Sequence, residues 1–434
     1  MTADITLINA LLFTPETPSG LTPDCFVEIS GKRIRAVGPM AAWNSSATGR
    51  VMDVRGNLVM PGLVNGHNHA AMTLFRGLAD DLPLMSWLTQ HIFPAESRFV
   101  SPEMVYWATK LAAAEMILSG TTCVADAYFY EDKAAEALAE AGMRAVAAQG
   151  VIDYPAPGVA DPTDNVAACD AFIRSCRGHE RVTPAVFAHS PYTCSDETLI
   201  AAKKLARTHD VPFFIHLAET RGEREMIRAK FLGSPLAYLH SLHLLDEKTV
   251  CVHAVWLDEK DITLLAASGA SVVTCPESNM KLASGIAPLP ALRAAGVRVG
   301  LGTDGCAGNN DLDLFGEMDA CAKLHKVSGR DATLCPARDI LAMATTEGAH
   351  ALGAADTGRL APGRDADLIV VDIHRPSLTP LYSVDTLVYA ARGDAVQSVV
   401  INGRLVMDER RILTFDVAEA MERVNRLAGE VKKK

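Results

Sequence analysis

The sequence predicts an α/β protein, a (β/α)8 (TIM) barrel that carries a small β-sandwich domain built from both chain ends. Three observations lead to this prediction. Apolar, β-branched runs alternate with helical stretches through the middle of the chain, which is typical of βα units with parallel strands. Short strand-like runs separated by turn residues occupy both ends. Histidine and acidic residues follow the ends of the middle strands, where barrel enzymes collect their functional groups.

Residues 1–58 are predicted to form the first part of the sandwich domain. Short β-rich runs lie in this segment, at residues 5–8, 25–29, 33–37 and 51–54. The sequence Ser30-Gly31-Lys32 reads as a tight hairpin turn between two of them. We therefore expect a small antiparallel sheet here.

Residues 59–357 are predicted to form the barrel. Eight strands are expected to end near Asn65, Ala127, Gly150, His189, Leu217, His253, Cys275 and Gly302. Eight strands in roughly 250 residues match a barrel, although a doubly wound open sheet would show a similar alternation of strands and helices in the sequence. Helices are expected between the strands at about residues 102–118, 132–141, 164–175, 195–208, 259–267 and 288–295, and a further pair at 312–326 and 337–352.

Short strand-like runs occur again in residues 358–413, the predicted second part of the sandwich domain. The runs 366–372 and 396–406 are β-rich, and Asn402-Gly403 is a type I′ hairpin signal. Residues 414–434 are expected to form a C-terminal helix, at about 417–432. Two β-rich flanks around a different middle predict one discontinuous domain.

Composition and charge exclude several classes of function. Hydrophobic residues make up 49% of the chain, and no run approaches the ~18 apolar residues of a membrane span. A formal net charge of −11 argues against nucleic acid and acidic membranes as partners. The only basic cluster, the lysines at 432–434, is interpreted as the C-terminal end of a helix, where positive charge is favourable. The first residues carry no basic stretch before an apolar run, so no secretory signal is expected. The ten cysteines include no Cys-x-x-Cys pair, which is typical of reduced thiols. We therefore expect a soluble, cytoplasmic protein.

The segment 61–69 breaks an apolar strand at glycine and then offers two imidazoles, His67 and His69. In extended backbone, residues i and i+2 point the same way, so both imidazoles can converge on one point at the strand end. This pair suggests a metal site, although histidines in loops are often only solvated or hydrogen-bonded. The decision between these interpretations rests on the other strand ends.

Further candidate ligands and catalytic groups follow the other strands: His189, His216, Glu219, His253 and Asp304. Three neutral imidazoles (His67, His69, His216) and the Asp304 carboxylate suit one Zn²⁺ per subunit, with bonds of ~2.0–2.2 Å and a position left for water. The ligand types also suit Fe²⁺. Such a metal lowers the pKa of bound water to near ~7 and so supplies a nucleophile. The alternatives are core hydrogen bonding or surface exposure.

With these motifs the chain resembles the amidohydrolase superfamily, metal-dependent barrels capped by a β-sandwich made from both chain ends. The resemblance covers essentially the entire chain and is carried by residues 61–69, 216–220, 252–254, 302–305 and 358–367. The fourth strand has no lysine that could be carboxylated to bridge two metals. A mononuclear site is therefore expected.

The sequence His216-x-x-Glu219 resembles the deaminase branch of this superfamily. The resemblance implies that Glu219 shuttles a proton to a ring nitrogen, and protonation there makes the amidine carbon electrophilic. It also implies that His253 orients or helps to deprotonate the water. Asp304 would both bind the metal and accept a proton on the way to expelled ammonia.

Residues 69–88 and 92–96 are similar to the 5′-methylthioadenosine/S-adenosylhomocysteine deaminases. The resemblance implies that Glu96 accepts hydrogen bonds from the two ribose hydroxyls and that His189 contacts the purine or ribose. Trp87 could pack against the 5′ substituent, although a tryptophan after an apolar run is more often core. Residues 275–285 also resemble the family and are interpreted as a wall of the pocket.

The function implied is metal-dependent hydrolytic deamination of the adenine ring of 5′-substituted adenosines to the inosine analogue and ammonia. Family members that accept S-adenosylhomocysteine commonly present arginine near the end of the third strand, to pair with its carboxylate. Here Gln149-Gly150 ends that strand, and residues 151–165 contain no arginine or lysine. We therefore expect 5′-methylthioadenosine, adenosine or 5′-deoxyadenosine to be preferred over S-adenosylhomocysteine.

Two alternatives remain at this point. An aminohydrolase or chlorohydrolase acting on a free base or triazine would use the same site, but Glu96 and the segment before it suit a ribose. A barrel that has lost its chemistry and serves as a scaffold would be expected to lack ligands, whereas the whole set is present. The expected partner is a small-molecule nucleoside, and similar enzymes are commonly homodimers or homotetramers.

Overall fold

The structure of the protein is a computed structural model that describes residues 4–44 and 49–432. Within these residues the strands form one sheet of nine strands and one of eight. The strands are β1 (Ile5–Phe13), β2 (Leu21–Ser30), β3 (Arg33–Pro39), β4 (Arg50–Asp53), β5 (Leu58–Pro61), β6 (Leu63–Asn68), β7 (Thr121–Tyr128), β8 (Arg144–Val151), β9 (Val182–Ala188), β10 (Phe213–Leu217), β11 (Thr249–His253), β12 (Ser271–Thr274), β13 (Val299–Leu301), β14 (Leu368–Val371), β15 (Val396–Ile401), β16 (Arg404–Asp408) and β17 (Arg411–Ile412).

Helices connect the barrel strands and close the chain. They are α1 (Leu84–Trp87), α2 (Phe93–Phe99), α3 (Pro102–Leu118), α4 (Glu131–Ala141), α5 (Asn165–Ser175), α6 (Asp196–His209), α7 (Arg221–Lys230), α8 (Pro235–Ser241), α9 (Glu259–Ser268), α10 (Pro276–Lys281), α11 (Leu289–Ala294), α12 (Cys306–Asn309), α13 (Leu314–Gly329), α14 (Ala337–Met343), α15 (Thr346–Ala351), α16 (Asp385–Ala390) and α17 (Val417–Lys432). Within the described ranges, none of these helices is both long and apolar enough to span a membrane.

The barrel prediction is confirmed. Strands β6 to β13 lie side by side in sequence order, and each pair of neighbours in this order runs parallel. A doubly wound sheet would reverse its strand order at a switch point, so that alternative is wrong. Because all eight strands run parallel, their C-terminal ends meet at one face of the barrel.

Glycines let the first and last barrel strands pass each other closely. A Cβ atom added at Gly302 would lie 2.7 Å from the His67 nitrogen, and one at Gly66 would lie 2.9 Å from the Leu301 carbonyl oxygen. The Asp304 N–H donates to the His67 carbonyl at 3.1 Å across this contact. The close approach therefore brings Asp304 beside His67.

The expected helices between the strands are observed within a few residues, with one error. A single helix was expected at 337–352, but α14 ends at Met343 and α15 begins at Thr346. The Ala344 carbonyl instead accepts a hydrogen bond from Val64 N–H of β6 at 2.8 Å, and Thr345 has non-helical dihedral angles. The helix is broken because this carbonyl is used by the barrel. Helices α7, α8, α10 and α16 were not anticipated.

The small domain joins both chain ends, as expected, because β14 pairs with β5 in the middle of the nine-stranded sheet. Both hairpin turns are present, with Gly31, Asn402 and Gly403 in the left-handed region. The expected antiparallel pairing is observed for β1 to β3, but not for β4 and β5, which both pair in parallel with β1. After β3 the chain runs back to β1 and lies beside it in the same direction. Local turn signals do not reveal this return.

The closing helix α17 has the expected bounds and packs on α3, where Arg423 lies over the Trp107 ring at 5.1 Å. Residues 433 and 434 of the basic end, and residues 1–3 at the start considered for a signal sequence, lie outside the described residues. All ten cysteines are buried and unpaired. The exact domain boundaries stay a prediction.

Candidate active site

The histidines expected at strand ends converge at the C-terminal face of the barrel. The ring centre of His67 lies 4.6 Å from that of His69 and 5.1 Å from that of His216. The His216 ring lies 5.2 Å from that of His253 and 5.1 Å from that of His189. Strands that are far apart in sequence thus place five imidazoles around one point.

The candidate metal ligands have the spacing that a single ion requires. The Nε2 atoms of His67 and His216 are 3.2 Å apart. Asp304 Oδ1 lies 3.6 Å from His67 Nε2 and 3.5 Å from His69 Nε2. Tetrahedral ligands with zinc bonds of ~2.0–2.1 Å are separated from one another by about 3.3 Å. His67, His69 and Asp304 form one group with spacing suited to Zn²⁺, and His216 adjoins this group through His67.

Hydrogen bonds orient two of these ligands. His69 Nδ1 donates to the Ala127 carbonyl at 2.5 Å, which leaves Nε2 unprotonated and available as a metal ligand. Asp304 Oδ1 accepts from the Gly305 N–H at 2.8 Å, and its Oδ2 accepts from Ser278 Oγ at 2.7 Å. The ligand atoms are thus held before any ion binds.

The protonation states suit a metal site as well. Burial lowers the pKa of His67 and His216 well below the usual range, so both imidazoles are neutral. Burial alone would raise the pKa of Asp304, but the neighbouring histidines lower it to about 2. Neutral imidazoles and an ionised carboxylate are the forms in which these residues bind metals.

Glu219 and His253 lie beside the ligands. Glu219 Oε2 is 3.8 Å from His253 Nε2, and burial raises the pKa of the Glu219 carboxyl. The Glu223 carboxylate accepts from the backbone N–H groups of Ala218 and Glu219, at 2.8 and 2.9 Å. A buried, positioned carboxyl with a raised pKa is suited to hold a proton and donate it.

Strained backbone accompanies these residues. Ala218, His253, Ala254 and Asp304 have φ values of 52°, 71°, 51° and 60°. Residues other than glycine rarely adopt this left-handed region, and such strain collects at functional sites. It allows the chain to turn sharply at the ends of β10, β11 and β13.

A cavity of about 580 Å³ lies over this cluster. His69, His216, Glu219, His253 and Asp304 line one part of it. The other lining residues are mostly apolar and include Met85, Leu88, Phe93, Tyr154, Pro157 and Met226. Among the described residues that line the cavity, none is a lysine or an arginine.

Glu96 lines the cavity from helix α2 and is buried. Tyr128, at the end of β7, donates its hydroxyl to Glu96 Oε1 at 2.7 Å. Burial raises the pKa of Glu96 to about 7, although the hydrogen bond from Tyr128 opposes this shift. Glu96 is thus a buried carboxyl that faces ligand space and can ionise near neutral pH.

His189 and Trp87 also line the cavity. His189 Nδ1 lies 3.0 Å from Thr193 Oγ1, and burial lowers the pKa of this imidazole to about 4. Trp87 belongs to an apolar cluster that includes Phe75 and Ile92. Trp87 is therefore both a core residue and a cavity residue, so the two interpretations of it do not exclude each other.

Sequence reasoning missed several residues that contact the site: Tyr128, Glu223, Ser278, Asn279 and Ser284. Tyr128 stands at a strand end and would have been found if the search there had included tyrosine. Glu223 lies four residues after Glu219, but nothing in that spacing reveals that its carboxylate turns back to the backbone. The remaining three lie in the segment 275–285, whose motif was noticed and whose contacts were not.

Comparison with known proteins agrees with this geometry. Residues 58–406 match the model of the amidohydrolase family. A 5-methylthioadenosine/S-adenosylhomocysteine deaminase of Syntrophobacter fumaroxidans is 49% identical, over 99% of both chains. A 5′-deoxyadenosine deaminase of Methanosarcina acetivorans is 41% identical, over 99% of this chain and 98% of that one.

Solved structures are similar over the same length. An adenosine deaminase from Xanthomonas campestris, solved with bound zinc, superposes with a TM-score of 0.96 at 37% identity and covers 100% of this chain and 99% of its own. Atrazine chlorohydrolase from Arthrobacter aurescens gives a TM-score of 0.90 at 22% identity, over 98% of this chain and 100% of that one. The second likeness concerns the fold alone.

Proposed function

This chain belongs to the amidohydrolase family, and we propose that it hydrolytically deaminates the adenine ring of 5′-substituted adenosines. The products are the inosine analogue and ammonia. The observation that carries this proposal is one cavity that holds a zinc-type ligand set, a buried proton donor in Glu219 and a buried carboxyl in Glu96. Relatives named for such deaminations align over nearly the whole chain.

The enzyme is a zinc-dependent aminohydrolase. His67, His69, His216 and Asp304 would hold a single zinc ion, and the related adenosine deaminase from Xanthomonas campestris was solved with bound zinc. Zinc, when bound, supplies an activated water at neutral pH. The scaffold alternative is disfavoured because His69, His216, Asp304 and Glu219 line one cavity and the His67 ring lies beside those of His69 and His216.

Three residues of the chain handle protons in the proposed reaction. Glu219 donates a proton to the ring nitrogen beside the amino-bearing carbon, which makes that carbon electrophilic. His253 orients the attacking water through Nε2, because its Nδ1 is paired with Asn279. Asp304 takes a proton from the water, and the amino group leaves as ammonia once it has been protonated.

Other lining residues bind the nucleoside. We propose that Glu96, held by Tyr128, accepts hydrogen bonds from the two ribose hydroxyls. His189 contacts the purine or the ribose, and Trp87 packs against the substrate from the apolar part of the lining. Because free bases and triazines have no ribose for Glu96 to bind, this contact favours nucleosides over the substrates of the alternative interpretation.

The preferred 5′ substituent is proposed to be uncharged. Among the described lining residues there is no cation to pair with the carboxylate of S-adenosylhomocysteine, whereas apolar side chains are abundant. A carboxylate that loses water without gaining a partner weakens binding. We therefore rank 5′-methylthioadenosine, 5′-deoxyadenosine and adenosine ahead of S-adenosylhomocysteine.

A spectrophotometric assay of adenine-to-hypoxanthine conversion tests both levels of the proposal. The panel contains the four nucleosides, varied only at the 5′ position, with free adenine and a chlorotriazine. Higher kcat/KM for the nucleosides than for the free base and triazine is expected. Faster turnover of the free base would overturn the nucleoside assignment, and comparable kcat/KM for S-adenosylhomocysteine would overturn the 5′ preference alone.

We also propose that the enzyme is a homodimer or homotetramer that works in the cytoplasm. The fully reduced state expected for ten buried, unpaired cysteines supports this compartment. Light scattering of the purified protein checks the oligomeric state, and a monomeric mass would contradict it.

A further inference from the structure

The segment 275–285, which follows strand β12, sends three polar side chains to the three proton-handling residues. Ser278 Oγ donates to Asp304 Oδ2 at 2.7 Å, and Ser284 Oγ donates to Glu219 Oε1 at 3.3 Å. Asn279 Oδ1 lies 3.0 Å from His253 Nδ1. One short stretch of chain thus contacts residues that three different strands bring to the site.

These three side chains lie behind the catalytic residues. Ser278, Asn279 and Ser284 are 0%, 2% and 4% exposed. Leu282 is the residue through which this segment lines the cavity. The segment therefore acts mainly through the groups that it holds and is less a pocket wall than its sequence suggested.

The segment is itself held firmly at both ends. At its start, the Glu277 N–H donates to Glu317 Oε2 at 3.1 Å. Near its end, Trp256 Nε1 donates to the Ser284 carbonyl at 2.7 Å. The Ser284 N–H also donates to the Asn279 carbonyl at 2.9 Å, so the two polar residues are tied together.

Glycine is required where the segment closes against the loop after β11. Gly285 has a φ of 132°, and an added Cβ atom would lie 2.8 Å from Val255 Cγ1. A larger residue would push this end of the segment away from Trp256. The backbone is thus shaped to keep Ser284 near Glu219.

We propose that residues 275–285 are a positioning segment that aligns Asp304, His253 and Glu219 for proton transfer; this inference rests on the proposed deamination. The Ser278 hydroxyl binds Asp304 Oδ2 and so directs Oδ1 to the ligand cluster. The Asn279 oxygen accepts from His253 Nδ1–H and so keeps Nε2 as the acceptor that faces the reaction. The Ser284 hydroxyl restricts rotation of the Glu219 carboxyl group.

The Ser278 contact is tested by Ser278→Ala, with Ser271→Ala as a matched control. Ser271 is equally buried on β12, and its hydroxyl finds no hydrogen-bond partner among the described residues. Loss of a group that supports a metal ligand typically lowers metal affinity or activity ~10–100-fold. We expect such a loss of zinc affinity in Ser278→Ala, measured by competition with a chelator, and none in the control.

The zinc titration needs no substrate, so it separates this inference from the proposed function. Unchanged zinc affinity together with unchanged kcat in Ser278→Ala would overturn the positioning role. If the unmodified enzyme failed to deaminate any nucleoside, the proposed function would fall while the titration still reported on the contact.

The Asn279 contact is tested by a pair of variants of similar size. Asn279→Asp keeps an oxygen that can accept from His253 Nδ1–H, whereas Asn279→Leu removes it. We expect kcat for 5′-methylthioadenosine to fall roughly 10–100-fold in Asn279→Leu with KM unchanged, and to be largely retained in Asn279→Asp. Equal losses in both variants, or a change confined to KM, would overturn the proposal.

Ser284→Ala completes the series. It should lower kcat and leave both KM and zinc affinity unchanged, because Glu219 is not a metal ligand. Full activity in Ser284→Ala would remove Glu219 from the set of residues that the segment aligns. Melting temperatures of all variants show whether a loss of kcat merely follows a loss of folding.

Discussion

The cavity has two linings that are built differently. The strand-end lining (His69, His216, Glu219, His253, Asp304) comes from the ends of barrel strands or directly after them, and hydrogen bonds hold its side chains. The helix-and-loop lining (Met85, Trp87, Phe93, Glu96, Tyr154) comes from the helices after β6 and the loop after β8, and it is mostly apolar.

This difference separates chemistry from substrate choice. Side chains at strand ends are held in rigid positions. A metal site and proton transfer require such positions, because small displacements of the reacting groups lower the reaction rate. Helices and loops at a barrel mouth can change without disturbing those positions. We therefore expect changes in the strand-end lining to lower kcat and changes in the helix-and-loop lining to alter KM. Five predictions, ordered from the largest expected effect to the smallest, test this division.

Loss of a metal ligand should abolish the reaction. His216→Ala removes one of the three imidazoles that surround the metal position, and we expect activity below detection with zinc content well under one ion per subunit. Chelation of the unmodified enzyme should have the same effect, and added Zn²⁺ should reverse it. Metal analysis and the adenine assay provide the measurements; a zinc-free protein with full activity would contradict the assignment.

Glu219→Gln should lower kcat by ~10²–10⁴-fold, the usual contribution of a general acid or base. KM and zinc content should stay unchanged, because Glu219 lies outside the proposed ligand set. The matched control is Glu225→Gln, an exposed glutamate on α7 that pairs with Arg221. A fall in zinc content as large as the fall in kcat would show that Glu219 belongs with the ligands instead.

Glu96→Gln should act on binding. A hydrogen bond to a charged group contributes roughly 1.5–3 kcal/mol, so we expect KM for 5′-methylthioadenosine to rise about 10–100-fold with a small change in kcat. Glu103→Gln, at an exposed glutamate of α3, serves as the control. An effect confined to kcat would break the division between the two linings.

The same residue predicts a pH dependence. Because burial raises the pKa of Glu96 to about 7, the carboxylate proposed to bind the ribose forms as pH rises through 7. KM for nucleosides should therefore decrease over this range, whereas a 2′,3′-dideoxy analogue should show no such decrease. The two substrates are compared on the same enzyme across the range, and parallel pH profiles would contradict the role of Glu96.

Tyr128→Phe should have the smallest effect. The hydrogen bond from Tyr128 lowers the pKa of Glu96, so its loss should move the fall in KM to higher pH. At alkaline pH, where Glu96 is ionised in both proteins, KM should differ only a few-fold, since one hydrogen bond contributes ~0.5–1.5 kcal/mol. A pH profile that coincides with that of the unmodified enzyme would exclude Tyr128 from this role.

Much of the fold and of the strand-end lining is predictable from the sequence because the signals are local. Alternation of side chains along a strand puts His67 and His69 on the same side, and apolar runs mark where each barrel strand ends. Once the strands are known to be parallel, their C-terminal residues must meet at one face. The position of Asp304 beside His67 follows from this topology together with the close approach that Gly66 and Gly302 allow.

Other features depended on packing between distant segments. Ser284 is 65 residues from Glu219 in sequence, and Tyr128 is 32 residues from Glu96. No periodic pattern in the sequence predicts such pairs, because they depend on how loops and helices pack on the folded barrel. The same holds for the parallel pairing of β1 and for the break at Thr345, where a carbonyl is taken by a neighbouring strand. The sequence by itself thus determined the barrel, the candidate metal ligands and the family resemblance, through local patterns of side-chain type and spacing. The tertiary structure alone decided which groups hold Asp304, His253, Glu219 and Glu96, since those hydrogen bonds exist only after distant segments have packed.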